Sequence, residues 1–215
     1  MGAKLEPPET NAAPAEPSKP SGPIHLVNAA ASSAQKLPDT RPLSEVEVQL
    51  LRKVFDAGLK YPPLRLTRMG SFTELINGSR AFTLGNTIHL PSKAYSAISS
   101  QYPSLLVHEA VHVWQYQRDG WGYVPNALWA QTGGDGYDFA KPLRQGKAWR
   151  RMNPEQQGQM IQDAYRGAWF EAPGALFGLL QNDKPTVIRP GSQPPDGFAD
   201  FTYSLVAALE ILRKP

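Results

Sequence analysis

Leu105-Leu106-Val107-His108-Glu109-Ala110-Val111-His112-Val113-Trp114-Gln115 is the stretch whose reading decides the fold. Apolar residues fill it almost without interruption, and a helix that is apolar nearly all round lies inside its domain. Pro103 followed by Ser104 supplies a start, because proline's fixed φ suits the first helical turn. On a helix, residues i and i+4 stack on one face. His108, His112 and Gln115 therefore share one polar stripe in an apolar setting. Buried polar groups of this kind persist when they are hydrogen-bonded or bind a metal.

The pentad His108-Glu109-Ala110-Val111-His112 has the form HExxH. Two imidazoles one turn apart can grip a single Zn²⁺. Glu109, beside the first, can act as general base without occupying a coordination position. With four histidines in the chain, the number of such pentads expected by chance is about 0.003. The competing reading is a core helix that merely carries two histidines.

Composition narrows the classes. The 215 residues, 41% hydrophobic with five Trp, are enough for one good core. A net charge of +3 without a Lys/Arg cluster interleaved with aromatics gives no support to nucleic-acid binding. Zero cysteines exclude disulfides, thiolate ligands and a cysteine nucleophile. The first residues carry no apolar core of a signal peptide, Glu6 stands where a myristoylation signal wants Ser or Thr, and no apolar run is long enough to span a bilayer. The expectation is a soluble protein made in the cytoplasm without a cleavable leader.

Residues 1–40 are dominated by Pro, Ala, Ser, Glu and Lys and read as a disordered tail or tether; His25 within it is given no role. The folded domain is expected over 41–215. Ser44-Glu45-Val46-Glu47 is a capping box, flanked by a Leu43/Val48 staple, and Gly58 is the expected stop of that first helix. Leu64–Thr67, after a Pro-Pro pair, reads as an edge strand. Asn77-Gly78 is a turn signal, and Ala81–Leu84 and Thr87–Leu90 flank Gly85-Asn86 as a hairpin. His89 alternates with Ile88 and Leu90 and so faces away from them; a solvent-facing or hydrogen-bonded role suits it better than metal ligation. A helix is expected over Asn126–Gln131. Another starts at Asn153-Pro154-Glu155, with Asn153 as N-cap, and continues as far as Phe170. Lys184–Gly197 reads as a Pro- and Gly-rich loop, and an amphipathic helix from Phe198 to Leu212 closes the chain.

A catalytic zinc takes three protein ligands. A third histidine in the extended pattern HExxHxxGxxH is excluded, because Gln115 and Arg118 occupy the required positions. Glu155 is the first candidate, with Gln156, Gln159 and Asp163 available to orient it; an ordinary first-turn glutamate favoured by the helix dipole is the alternative. Glu171 comes next, then Asp135 or Asp138.

From Arg80 to Gln115 the sequence resembles a bacterial family of zincin-like metallopeptidases that occur with extracellular contractile injection systems and with polymorphic or Rhs-type toxins. The resemblance is carried by Arg80-Ala81-Phe82-Thr83-Leu84-Gly85-Asn86-Thr87-Ile88-His89-Leu90 and by the pentad with its Val113-Trp114-Gln115 extension. Weaker similarity continues through Tyr137-Asp138-Phe139 and Glu155-Gln156-Gln157, departing at Gly158, where Ala is more usual. The resemblance implies His108, His112 and Glu155 as zinc ligands with Glu109 as base.

The expected fold is α+β and zincin-like, with a small antiparallel edge hairpin packed on a mainly helical domain around a central HExxH helix. The expected activity is zinc-dependent peptide hydrolysis of a peptide or protein substrate, with Tyr137 or Tyr165 as oxyanion donor and Thr87–Leu90 holding an extended substrate. Two rival readings stand beside it. One is a non-catalytic zinc-binding structural or cargo-loading component of a secretion or injection system, and the other an exported toxin with an immunity partner.

Overall fold

A four-stranded mixed sheet and a buried helix organise the described part of the chain. The structure is a computed structural model that describes residues 39–76, 80–120 and 136–215, all within the unit Leu37–Pro215. The expected tail, the turn at Asn77-Gly78, the helix over Asn126–Gln131 and the candidate Asp135 lie outside the described residues, the tail's last two positions apart. Thr40 already belongs to a strand, one residue before the expected domain start.

The first sheet has the order β1 (Thr40–Pro42), β2 (Arg65–Arg68), β4 (Thr87–Leu90), β3 (Phe82–Leu84). β2 runs antiparallel to β1 and parallel to β4. β2 is thus interior, not the edge strand expected, because the Pro-Pro pair precedes it and leaves its ladder amides free to pair on both sides. The hairpin β3–β4 forms as read, with Leu84 opposite Thr87. Gly85 takes φ 62° at the first turn position, which glycine reaches without a Cβ penalty. Alternation holds along β4: Ile88 and Leu90 are fully buried and His89 is half-buried, stacked on the ring of Phe82 with centroids 4.5 Å apart.

Helix α1 (Glu45–Phe55) starts at the capping box, with Ser44 and Glu47 bonded reciprocally. It ends at Asp56 rather than at Gly58. Gly58 is needed for close approach instead, since a Cβ there would lie 1.9 Å from the carbonyl oxygen of Leu212. Short helices α2 (Ser71–Ile76) and α3 (Ser92–Ser96) flank the hairpin. Helix α4 (Pro103–Asp119) has proline in its first turn, and every residue from Leu106 to Gln115 is buried. It is the centre of the core, under the first sheet and against the helix that starts at Pro154.

Helix α5 (Ala140–Arg144) leads to α6 (Pro154–Arg166), whose N-cap Asn153 forms a capping box with Gln156. α6 stops at Arg166 rather than Phe170, because Ala168 turns left-handed and a 3-10 turn follows. The expected loop beyond Lys184 is in part a second sheet, β5 (Leu176–Leu179) between β6 (Pro185–Ile188) and β7 (Ala199–Asp200). Helix α7 (Thr202–Leu212) closes the chain, starting later than expected because Ala199–Asp200 pairs with β5. The class is α+β.

Candidate metal centre

Two helices bring the site together. α4 places His108 and His112 one turn apart, and the first turn of α6 places Glu155 against them. The Nε2 atoms of the two histidines are 3.2 Å apart, and Glu155 Oε2 lies 3.2 Å from one and 3.4 Å from the other. All three side chains are buried. This group could hold a metal ion, and it is the only such cluster among the described residues.

Electrostatics favour a cation here. His112 Nδ1 lies 2.8 Å from Gln115 Oε1, an acceptor, so the lone pair of the neutral ring falls on Nε2. That lone pair faces the Glu155 carboxylate, an arrangement that a proton or a metal ion stabilises. Burial pulls the His112 pKa down, but the hydrogen bond and charge of Glu155 outweigh it and raise it to about 9. For Glu155, burial raises the pKa, whereas the two imidazoles hold it far below the usual carboxylate range. His108 Nδ1 is buried and has no hydrogen-bond partner.

Glu109 projects from the same helix towards β3 and is buried. Its Oε2 accepts from the Thr83 hydroxyl at 2.8 Å. Tyr137 lies beside the centre, its ring centroid 6.1 Å from that of His108. Burial, then the Glu155 charge, push its pKa up to about 12. A cavity of about 300 Å³ opens next to it, lined in part by Phe139, Gln159, Asp163 and Pro185.

The alternative ligands go elsewhere. Glu171 pairs with Lys53 at 2.5 Å, and both are about half exposed. Asp138 is exposed and, just before α5, accepts from the Ala140 amide. Tyr165 packs on Phe170, away from the cluster. Of the residues expected to orient Glu155, Gln159 donates to Asp163 and Gln156 donates to the Asp138 carbonyl. Gln115 and Gln157 instead form the buried polar link between the two helices. Only Gln115, on the histidine stripe, signals this in the sequence.

Residues 75–120 match the family model described as the eCIS core domain. The match links the chain to extracellular contractile injection systems. It covers the hairpin β3–β4 and all of α4, and so includes His108, Glu109 and His112, but it ends well before Glu155. Comparison with curated proteins and with solved structures gives no match. No helix among the described residues is long and apolar enough to cross a membrane.

Proposed function

We propose that the chain is a zinc-dependent metallopeptidase of the zincin type, with His108, His112 and Glu155 as ligands. The observation that carries this is the spacing of the three donors. Zn–N and Zn–O bonds of about 2.0–2.1 Å in tetrahedral geometry require ligand atoms about 3.3 Å apart, and the observed separations are 3.2, 3.2 and 3.4 Å. Two imidazoles and one carboxylate are a donor set of catalytic zinc, which leaves a position for substrate. A bound zinc supplies Lewis-acid polarisation of the scissile carbonyl and of water.

The chain's own groups supply the remaining steps. Glu109 takes a proton from the attacking water and delivers it to the leaving amine. Tyr137, which stays protonated through neutral pH, donates to the developing oxyanion. β4 cannot hold an extended substrate as the sequence suggests, because β2 and β3 occupy both its edges. β3 stands last in the sheet order of the described residues, and its Thr83 hydroxyl donates to Glu109.

Glu109→Gln is expected to keep bound zinc and lose hydrolysis of a peptide library; hydrolysis that survives the change overturns this reading. The eCIS core match favours one rival, a zinc-stabilised structural or cargo-loading component. That reading requires a zinc-loaded protein that cleaves nothing and co-purifies with a part of an injection system.

A further inference from the structure

We infer that Gln115 is a positioning residue that fixes the tautomer and ring orientation of His112 as a metal ligand, through a directional relay of buried amides ending on backbone carbonyls. The inference rests on the zinc-site reading above and deepens it.

The two ends of a glutamine amide are told apart by their partners. The carbonyl of Met152 can only accept, so the Gln157 atom 3.0 Å from it is the amide nitrogen. Gln157 Oε1 then faces Gln115 and accepts from its Nε2 at 2.9 Å. The same Nε2 lies 3.3 Å from the carbonyl of Pro154, a second group that can only accept. Two independent acceptors thus assign the nitrogen end of Gln115. Its Oε1 is left for His112 Nδ1 at 2.8 Å, and that nitrogen must carry the hydrogen. The Nε2 lone pair of His112 is thereby aimed at the other two ligands.

Gln115 and Gln157 are 3% and 7% exposed, so solvent has little access to replace a lost partner. The relay also bridges α4 to the first turn of α6, where Glu155 sits, and so couples the two ligand-bearing helices. His108 has no counterpart. Its Nδ1 lacks an acceptor, and its ring fills the space that a Cβ on residue 158 would need. The two imidazoles are therefore oriented by different means.

The test is zinc affinity of the full chain by chelator competition, with apo melting temperatures measured in parallel. Gln115→Leu is expected to weaken zinc binding about 10- to 100-fold. Gln115→Glu removes the same amide donor to Gln157 and Pro154 but keeps an acceptor on His112 Nδ1. Its zinc affinity is expected to stay within about threefold of wild type, although its apo form loses the same donor. In zinc-loaded wild type a protected imidazole N–H resonance is expected that vanishes in Gln115→Leu. Wild-type affinity in Gln115→Leu, or an equal loss in both variants, overturns the inference while leaving the zinc site intact. A wild type that takes up no zinc overturns both readings together. Should Gln115→Leu fail to fold, Gln115→Met serves the same comparison.

Discussion

The Thr83 hydroxyl lies 2.8 Å from Oε2 of Glu109, tying β3 of the first sheet to the carboxylate that follows the first histidine. The hydroxyl of Thr83 thus holds the Glu109 carboxylate against the first sheet. Hydrogen bonds to charged groups contribute about 1.5–3 kcal/mol. Thr83→Val, which keeps the shape and removes the donor, is expected to lower peptide turnover about tenfold or more and to leave zinc content unchanged. Thr83→Ser should restore most of the rate. Wild-type turnover in Thr83→Val would show that the hydroxyl does not hold the base.

Removal of the candidate ligands separates the two glutamates. Glu155 Oε2 is within 3.4 Å of both imidazoles, whereas Glu171 is about half exposed and paired with Lys53. Glu155→Ala is expected to abolish stoichiometric zinc binding, and Glu171→Ala to bind zinc as wild type does. Metal analysis of the purified proteins decides it, and zinc retained by Glu155→Ala would remove that residue from the ligand set.

What the sequence makes legible is local. The capping box at Ser44 and Glu47, proline in the first turn of α4, the Gly85-Asn86 turn and the i, i+4 histidines each depend on residues a few positions apart, and each is found. Pairings set by distant segments are not legible. The parallel ladder of β2 with β4 depends on how the chain returns between them. β5 is buried at three consecutive residues and β6 opens on a proline, so neither shows a period of two. The site divides the same way. The pentad identifies itself, whereas Glu155 needs the packing of α6 on α4 to distinguish it from Glu171, and the Gln115–Gln157 link needs the same packing.

Gly158 tests that packing. A Cβ there would lie 2.9 Å from His108 Cε1 and 3.1 Å from both ring nitrogens. In an ordinary helix interior, Gly→Ala gains about 1 kcal/mol of propensity. Here the added methyl must displace the His108 ring. Overpacking against that buried ring offsets the propensity gain, so Gly158→Ala is expected to weaken zinc binding at least about tenfold without raising apo stability. Zinc affinity equal to wild type would mean that the ring moves without consequence and that Gly158 does not shape the centre.

Glu47 governs stability in acid independently of the metal centre. Arg41 donates to both its oxygens at 2.7 Å, and the Ser44 amide donates to one of them at 2.7 Å. Burial, at 1% exposure, pushes its pKa up, but the Arg41 and Ser44 hydrogen bonds outweigh burial and leave it below the usual glutamate range. A group depressed in the folded state stabilises the fold above its unfolded pKa, and that contribution disappears as pH falls through the lower folded value. Glu47→Gln should therefore cost about 3 kcal/mol at neutral pH, the order found when a buried pair loses one partner. The gap to wild type should narrow as pH drops below the ordinary glutamate range, because protonated Glu47 becomes equivalent to Gln. Urea midpoints of the two proteins from neutral pH to about pH 3 measure this. A gap that stays constant across that window would mean that Glu47 is not held ionised by Arg41.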